Sequence, residues 1–246
     1  MSASRIRLLS RGPGHFIVHK PPGIPFHRTG KDPGVLEMIR EMQETGELAP
    51  SERLFPVHRL DRVTSGILVF ACGRAAANEL GNAFRHNRVE KYYLALSDRR
   101  PHKKQGLVVG DMERGRRGQW ILNRSTNNPA RTRFWSHAVP GQRPGLRLYL
   151  VRPLTGKTHQ IRVALKSVGA PILGDPQYSR FDLAREEDRT YLHAAAIRFR
   201  LGESVVQTID LEPEGREFAT EGFESALLAL APELARGELP ADSRSG

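Results

Sequence analysis

His58-Arg59-Leu60-Asp61-Arg62-Val63-Thr64-Ser65-Gly66 runs directly into Ile67-Leu68-Val69-Phe70-Ala71. The second stretch is continuous, apolar and β-branched, the pattern of a strand buried on both faces. The first is polar and ionisable. Asp61 is therefore expected on a turn anchored by a core strand, with Arg59 and Arg62 on either side. Nearby positive charge favours an ionised carboxylate. That is the form needed in a nucleophile or fixed electrostatic group, and the wrong form for a general acid near neutrality. The plain alternative is a surface turn with a salt bridge.

Composition sets the outer limits. The chain of 246 residues is long enough for a sizeable core. Its 38 Lys and Arg against 27 Asp and Glu give a formal charge of +11, a field that attracts polyanions. The lone cysteine, Cys72, excludes an intrachain disulfide framework and a thiolate-rich metal site. No apolar run reaches the roughly 18 residues of a membrane span. The first residues lack the apolar stretch of a secretory signal. A soluble, cytoplasmic protein is the expectation.

Working outward, Phe16-Ile17-Val18-His19 reads as a strand ending at Lys20-Pro21-Pro22-Gly23-Ile24-Pro25, a rigid loop suited to presenting Lys20 to a partner. Apolar spacing predicts helices over 35–42 and 74–86, with a loop around Pro50 between the first helix and the Asp61 turn. Residues 89–97 read as a strand on which Tyr92 and Tyr93 face opposite ways, one toward the core and one toward a cleft. The irregular, basic 98–130 region is expected to face phosphates, with a hairpin near 106–110. Strands are expected over 131–139 and 146–151. A helix capped by Thr155 or Thr158 follows, with His159, Arg162 and Lys166 on one face and Ile161, Leu165 and Val168 on another. Gly169 ends it. The segment 180–189 reads as exposed, 191–199 and 205–211 as strands, 223–230 as a short helix. Hairpin-like neighbours outnumber βαβ units, which predicts an α+β fold built on a large, mainly antiparallel mixed β-sheet flanked by helices and loops. The division is a lead-in over 1–15, one catalytic domain over 16–230 and a flexible tail over 231–246.

Elimination narrows the chemistry. No His-x-Glu with a cysteine pair supports a zinc deaminase. No GxxxxGK[ST] supports a nucleotide-hydrolysing loop. The acids lack the clustering of a two-metal nuclease. A carboxylate, a counter-arginine, an aromatic ring and a basic surface suit work on a nucleic-acid base taken out of its stack.

The chain resembles the RluA-type pseudouridine synthases. The matching segments are Lys20-Pro21-Pro22-Gly23, His58-Arg59-Leu60-Asp61 with Thr64-Ser65-Gly66, Lys91-Tyr92-Tyr93-Leu94-Ala95, and Pro153-Leu154-Thr155-Gly156-Lys157-Thr158-His159-Gln160-Ile161-Arg162. Leu173-Gly174-Asp175 and Leu192-His193-Ala194 match downstream, so the likeness covers 16–199. It implies the pseudouridine synthase catalytic fold and isomerisation of uridine to pseudouridine in RNA with no metal and no organic cofactor; a tRNA or rRNA stem-loop substrate and a monomer are the further expectations. Asp61 is then the essential carboxylate, acting by one of three routes: addition to the base, attack on ribose C1′, or assistance to elimination. Tyr93 would pack on the uracil and serve the C5 proton, Arg162 would pair with Asp61, and Arg59 would fill the vacated stack. Lys20, Arg62, Lys157 and His159 are the further RNA-facing candidates, with His58, Thr64 and His193 in support. Lys157 stands where many relatives have Arg, and Ala164 where many have His; both bear on docking rather than chemistry. Residues 1–15 are too few for the S4-like domain many relatives carry, so RNA binding is expected from the catalytic domain. The competing expectation is a non-catalytic RNA-binding or RNA-remodelling protein on the same scaffold. A glycoside-type hydrolase would want a second opposed carboxylate, for which the motifs offer only Asp175.

Overall fold

The computed structural model describes residues 5–46, 53–141 and 143–240. In chain order it runs β1 (Arg7–Gly12), β2 (His15–Lys20), α1 (Val35–Glu44), β3 (Leu54–Pro56), β4 (Ser65–Cys72), α2 (Arg74–Arg85) and β5 (Glu90–Ser97). Next come β6 (Gln105–Gly110), β7 (Met112–Arg114), β8 (Trp120–Leu122), β9 (Ala130–Ala138), β10 (Arg147–Pro153) and α3 (Gln160–Ser167). The last elements are α4 (Phe181–Ala184), β11 (Leu192–Leu201), β12 (Ser204–Ile209), α5 (Glu221–Leu230) and α6 (Pro232–Ala235). The loop expected around Pro50 lies outside the described residues.

One large sheet has the order β1-β2-β4-β11-β5-β10-β9-β6, with β12 added to β11 and β3 to β4. Its pairings are antiparallel except for a short parallel contact of β4 with β11, at His193–Ser65 and Ala194–Gly66. The expected α+β architecture and mainly antiparallel sheet are therefore present. Gly66 makes the parallel contact possible: its φ is +102°, and a Cβ there would lie 2.3 Å from the Ala194 carbonyl oxygen.

Alternation on the central strands sorts the core onto two faces. Tyr92, Leu94, Leu148 and Leu150 pack with Phe223, Leu227 and Leu230 of α5. Ala95, Tyr149 and Val151 point the other way, against Ile161 and Leu165 of α3. On β4, Ile67–Ala71 is wholly buried and packs with Ala76, Leu80 and Ala83 of α2. The half-buried Tyr93 touches both the α2 and the α3 clusters. The functional face is thus the one that carries α2 and α3.

Four local expectations are corrected. The 106–110 segment is not a hairpin; it belongs to β6, which pairs along β9, while the nearby hairpin is β7–β8. Neither threonine caps α3, whose N-cap is His159 with φ 56°. Within the segment read as exposed, Arg189 is buried and its guanidinium donates to Ser65 Oγ and the Leu192 carbonyl. The segment 231–240, expected to be a loose tail, holds α6, and it buries Leu234 and Leu239 and receives a hydrogen bond from the Tyr92 hydroxyl at Pro240. The lead-in is also structured over Arg7–Gly12, where β1 pairs with β2.

Candidate active site

The Asp61 turn is clasped from behind. Lys20 Nζ donates to the carbonyls of Pro21 (2.7 Å), Ile24 (3.1 Å) and Arg62 (3.3 Å). The Gly23 amide also donates to the Arg62 carbonyl, at 2.8 Å. Lys20 is wholly buried, so it is not the RNA-facing cation that its loop suggests. Burial, with the charge of Arg189, pulls it down to about 7. Its work is to bind the Pro-Pro-Gly loop to the Asp61 turn. Inside that turn the Thr64 amide donates to the Asp61 carbonyl at 3.1 Å, and the Thr64 side chain is buried. His58 stacks on Phe84 at 4.5 Å between ring centres, and its Nε2 accepts the Val69 amide at 2.9 Å. Burial pushes its pKa down to about 3, which keeps it neutral and suits that accepting role.

Arg162 arrives from the first turn of α3, 3% exposed. Its Nη1 donates to Asp61 Oδ2 at 3.2 Å. The expected pair across the cleft is therefore made, though it is the lesser half of the arrangement. The greater half is a two-point grip by Asp175, with Nε–Oδ2 at 2.7 Å and Nη2–Oδ1 at 2.9 Å. Asp175 is fully buried and also accepts the amides of Gln177 and Tyr178. Gln177 Oε1 takes a further bond from Nη2 at 2.9 Å, and the Tyr178 ring lies 4.9 Å beneath the guanidinium. A planar fork held on so many sides has one direction left to point, toward Asp61.

His159 flanks the same carboxylate, its Nε2 3.9 Å from Asp61 Oδ2. Its Nδ1 lies 2.8 Å from the Tyr178 hydroxyl, which accepts the Trp120 amide at 2.9 Å. In the tautomer where the hydroxyl donates to Nδ1, the imidazole proton is on Nε2, facing Asp61. Burial lowers the His159 pKa despite Asp61, consistent with this neutral form.

These groups line one cavity of about 620 Å³. Its lining includes Asp61, Arg162, His159, Lys157, Tyr93 and Leu192, together with the exposed Arg59. Lys157 Nζ donates to Asn128 at 2.8 Å, and Gln160 fixes its loop by accepting the Lys157 amide and the Thr155 hydroxyl. Burial, reinforced by the Asp61 charge, pushes the Tyr93 phenol well above its ordinary value, so it stays protonated. Arg62 does not line the cavity; it is exposed and pairs with Asp32 at 2.8 Å. His193 also lies outside it, fully buried, with Nδ1 2.8 Å from Ser65 Oγ and Nε2 2.9 Å from the Asp210 carbonyl. It holds the start of β4 from behind. Asp175, Gln177 and Tyr178 are the residues that reasoning from sequence missed. The Leu-Gly-Asp signal was visible, but its partner lies 13 residues upstream on α3.

Residues 14–167 match the family model described as RNA pseudouridylate synthase. A Haemophilus influenzae protein called an uncharacterized RNA pseudouridine synthase is 40% identical over 200 residues, 81% of this chain and 84% of that protein. The ribosomal large subunit pseudouridine synthase C of Vibrio vulnificus is 34% identical over 190 residues, 74% of this chain and 58% of that protein. The solved structure of human RNA pseudouridylate synthase domain containing 1 superposes with a TM-score of 0.73 at 22% identity, covering 98% of this chain and 100% of that one.

Proposed function

The chain belongs to the RluA-type RNA pseudouridine synthase family and isomerises uridine to pseudouridine in structured RNA; from that premise we propose that Asp61 is the catalytic carboxylate. The observation that supports this most is the geometry of Arg162. Three residues of one turn fix the guanidinium, and its remaining Nη1 is aimed at Asp61, which is itself 19% exposed in its side chain and open to the cavity. Such a carboxylate is oriented without being used up. It retains oxygen lone pairs for a ribose or base carbon, for a proton, or for a developing positive charge.

Tyr93 offers a flat ring in the wall of the Asp61 cavity, and stacking of a base on such a ring contributes about 1–3 kcal/mol. Its protonated phenol makes it a stacking surface and hydrogen-bond donor rather than a phenolate base for the C5 proton. The neutral Nε2–H of His159 faces the same carboxylate and can hold an oxygen of the flipped nucleotide. The cavity wall behind, Tyr93 and Leu192, keeps water from a detached uracil while it turns to rejoin through C5. Arg59, exposed and lining the cavity, is our candidate to occupy the vacated stack, which would offset part of the few kcal/mol that flipping costs. Exposed Arg114, Arg116, Arg117 and Arg124 are further candidates for phosphate contacts.

The substrate we propose is a stem-loop of ribosomal or transfer RNA, acted on by a monomer in the cytoplasm. The name of the Vibrio relative favours the ribosomal choice. Among the described residues no helix is long and apolar enough to cross a membrane. The test is tritium release from [5-³H]uridine-labelled RNA, with tRNA and rRNA pools kept separate and Asp61→Ala run alongside. Release from one pool that disappears in the variant is the expected result. Release that survives Asp61→Ala would overturn the assignment, and RNA binding without release in either pool would favour a binding protein on this scaffold.

A further inference from the structure

The cavity is longer than its chemistry. Besides Tyr93 it is lined by Gly81, Phe84 and Arg85 of α2 and by Lys91 of β5. None of these enters the catalytic argument, and two of them are hard to explain without a ligand. Gly81 sits in the middle of α2, where glycine is a poor helix former. Its backbone is ordinary, and a Cβ built there meets nothing within 4 Å. The protein itself therefore has no need of a glycine at that point. Lys91 is half-buried with no carboxylate in ion-pair reach among the described residues, its ammonium 5.8 Å from the centre of the Phe84 ring. Burial pulls it down to about 8, so the protein bears a cost to keep a cation there. On β5 it lies two residues from Tyr93, on the same face and roughly 7 Å further along the strand.

We propose that this wing is a second nucleotide subsite, which receives the residue adjoining the flipped uridine, with its phosphate on Lys91 and its sugar-phosphate backbone passing closely over Gly81. The inference rests on the pseudouridine synthase reading above and adds to it where the RNA strand leaves the catalytic pocket. Its chemistry selects the ligand. An ammonium without a carboxylate partner among the described residues, in a cavity that the exposed Arg85 also lines, calls for an anion, and the absence of a side chain at Gly81 calls for an extended chain at van der Waals distance. Continuity with the uridine pocket makes that chain the same RNA.

The two cues make opposite demands on stability and binding, which gives a test. Gly81→Ala and Gly81→Leu remove the helix glycine where there is room for a side chain. If glycine is incidental, both variants melt higher and turn over RNA as before. If the subsite is real, Gly81→Ala melts about 2–4 °C higher, while KM for RNA rises severalfold for Ala and on the order of tenfold or more for Leu, with kcat within twofold. Lys91→Gln is expected to raise KM about tenfold and to lower the slope of log binding constant against log salt by about 1. A substrate RNA carrying an uncharged methylphosphonate at the phosphate next to the target uridine should weaken the wild type and leave Lys91→Gln indifferent. Wild-type turnover is measured in every series. If the wild type releases no tritium, the catalytic reading fails; if it does and the Gly81 and Lys91 variants match it in KM and salt slope, the subsite alone is overturned.

Discussion

Two carboxylates share Arg162, and they live differently. Asp175 sits in a turn where nothing reaches it but its own partners: both oxygens are gripped by the guanidinium, and two backbone amides close around one of them. Asp61 takes a single 3.2 Å contact from the same guanidinium and keeps an open side toward the cavity. A carboxylate satisfied on every side is a structural counter-ion. One satisfied on a single side is a reagent held at an angle. Electrostatics alone would have put the two on equal terms; the difference is the number of acceptor positions left free.

The sharpest way to break this comparison is to neutralise each acid without changing its shape. Asp61→Asn is expected to lower kcat by on the order of 10³-fold or more, with RNA affinity and thermal midpoint close to wild type, read by tritium release, filter binding and melting on one preparation. Asp175→Asn should do the reverse in kind. It strands a buried guanidinium, a loss of about 3–5 kcal/mol for a broken buried pair, seen as a lower urea midpoint, and it costs activity only as Arg162 loses its aim. Equal destabilisation by both substitutions would erase the distinction.

A third acid, Asp210, extends the contrast into the scaffold. It is buried against His19, at 2.6 Å from Nδ1, while Glu214 meets Nε2 at 3.0 Å. Burial opposes protonation of His19, but these two carboxylates override it and raise the pKa to about 9. The folded state then holds a proton that the unfolded chain releases above about 6.5. This stability is complete below that pH and fades as pH climbs toward 9, by about 1–3 kcal/mol. Lys20 and Lys91, pulled down to about 7 and about 8, act with the opposite sign over the same range. The His19 contribution is therefore read as the difference between wild type and His19→Gln in urea titrations across pH 6–9.5, and that difference should shrink as pH rises. A difference that stays constant with pH would sink the assignment. The smallest expected effect belongs to Tyr178→Phe, which removes the hydroxyl between the Trp120 amide and His159. We expect a fall in kcat of about threefold to tenfold, roughly the worth of one hydrogen bond, with KM unmoved; a change confined to KM would mean the hydroxyl serves RNA docking.

What the sequence disclosed and what it hid follow one physical line. The split of Tyr92 from Tyr93 was legible because strand alternation is local. Arg162 was legible from helix spacing, and Asp61 from a polar turn entering an apolar run. Lys20 was misread because its partners are carbonyls of Pro21, Ile24 and Arg62, and the last is contributed by a loop 42 residues away. A cation beside prolines looks exposed until the chain that covers it is known. Asp175 looked like a lone turn acid for the same reason. The packing of 231–240 was missed because its few apolar residues, Leu234 and Leu239 among them, show no period, and their burial depends on the far face of β5 and β10.

The strand order has a consequence in time as well as in space. Asp61 leads into β4 and Tyr93 rides on β5, yet these two strands are not neighbours; β11, far later in sequence, lies between them. Without Leu192–Leu201 the carboxylate and the aromatic platform sit on strands that no sheet pairing joins. Juxtaposition of the two therefore depends on pairings of high sequence separation, which are expected to form late in folding.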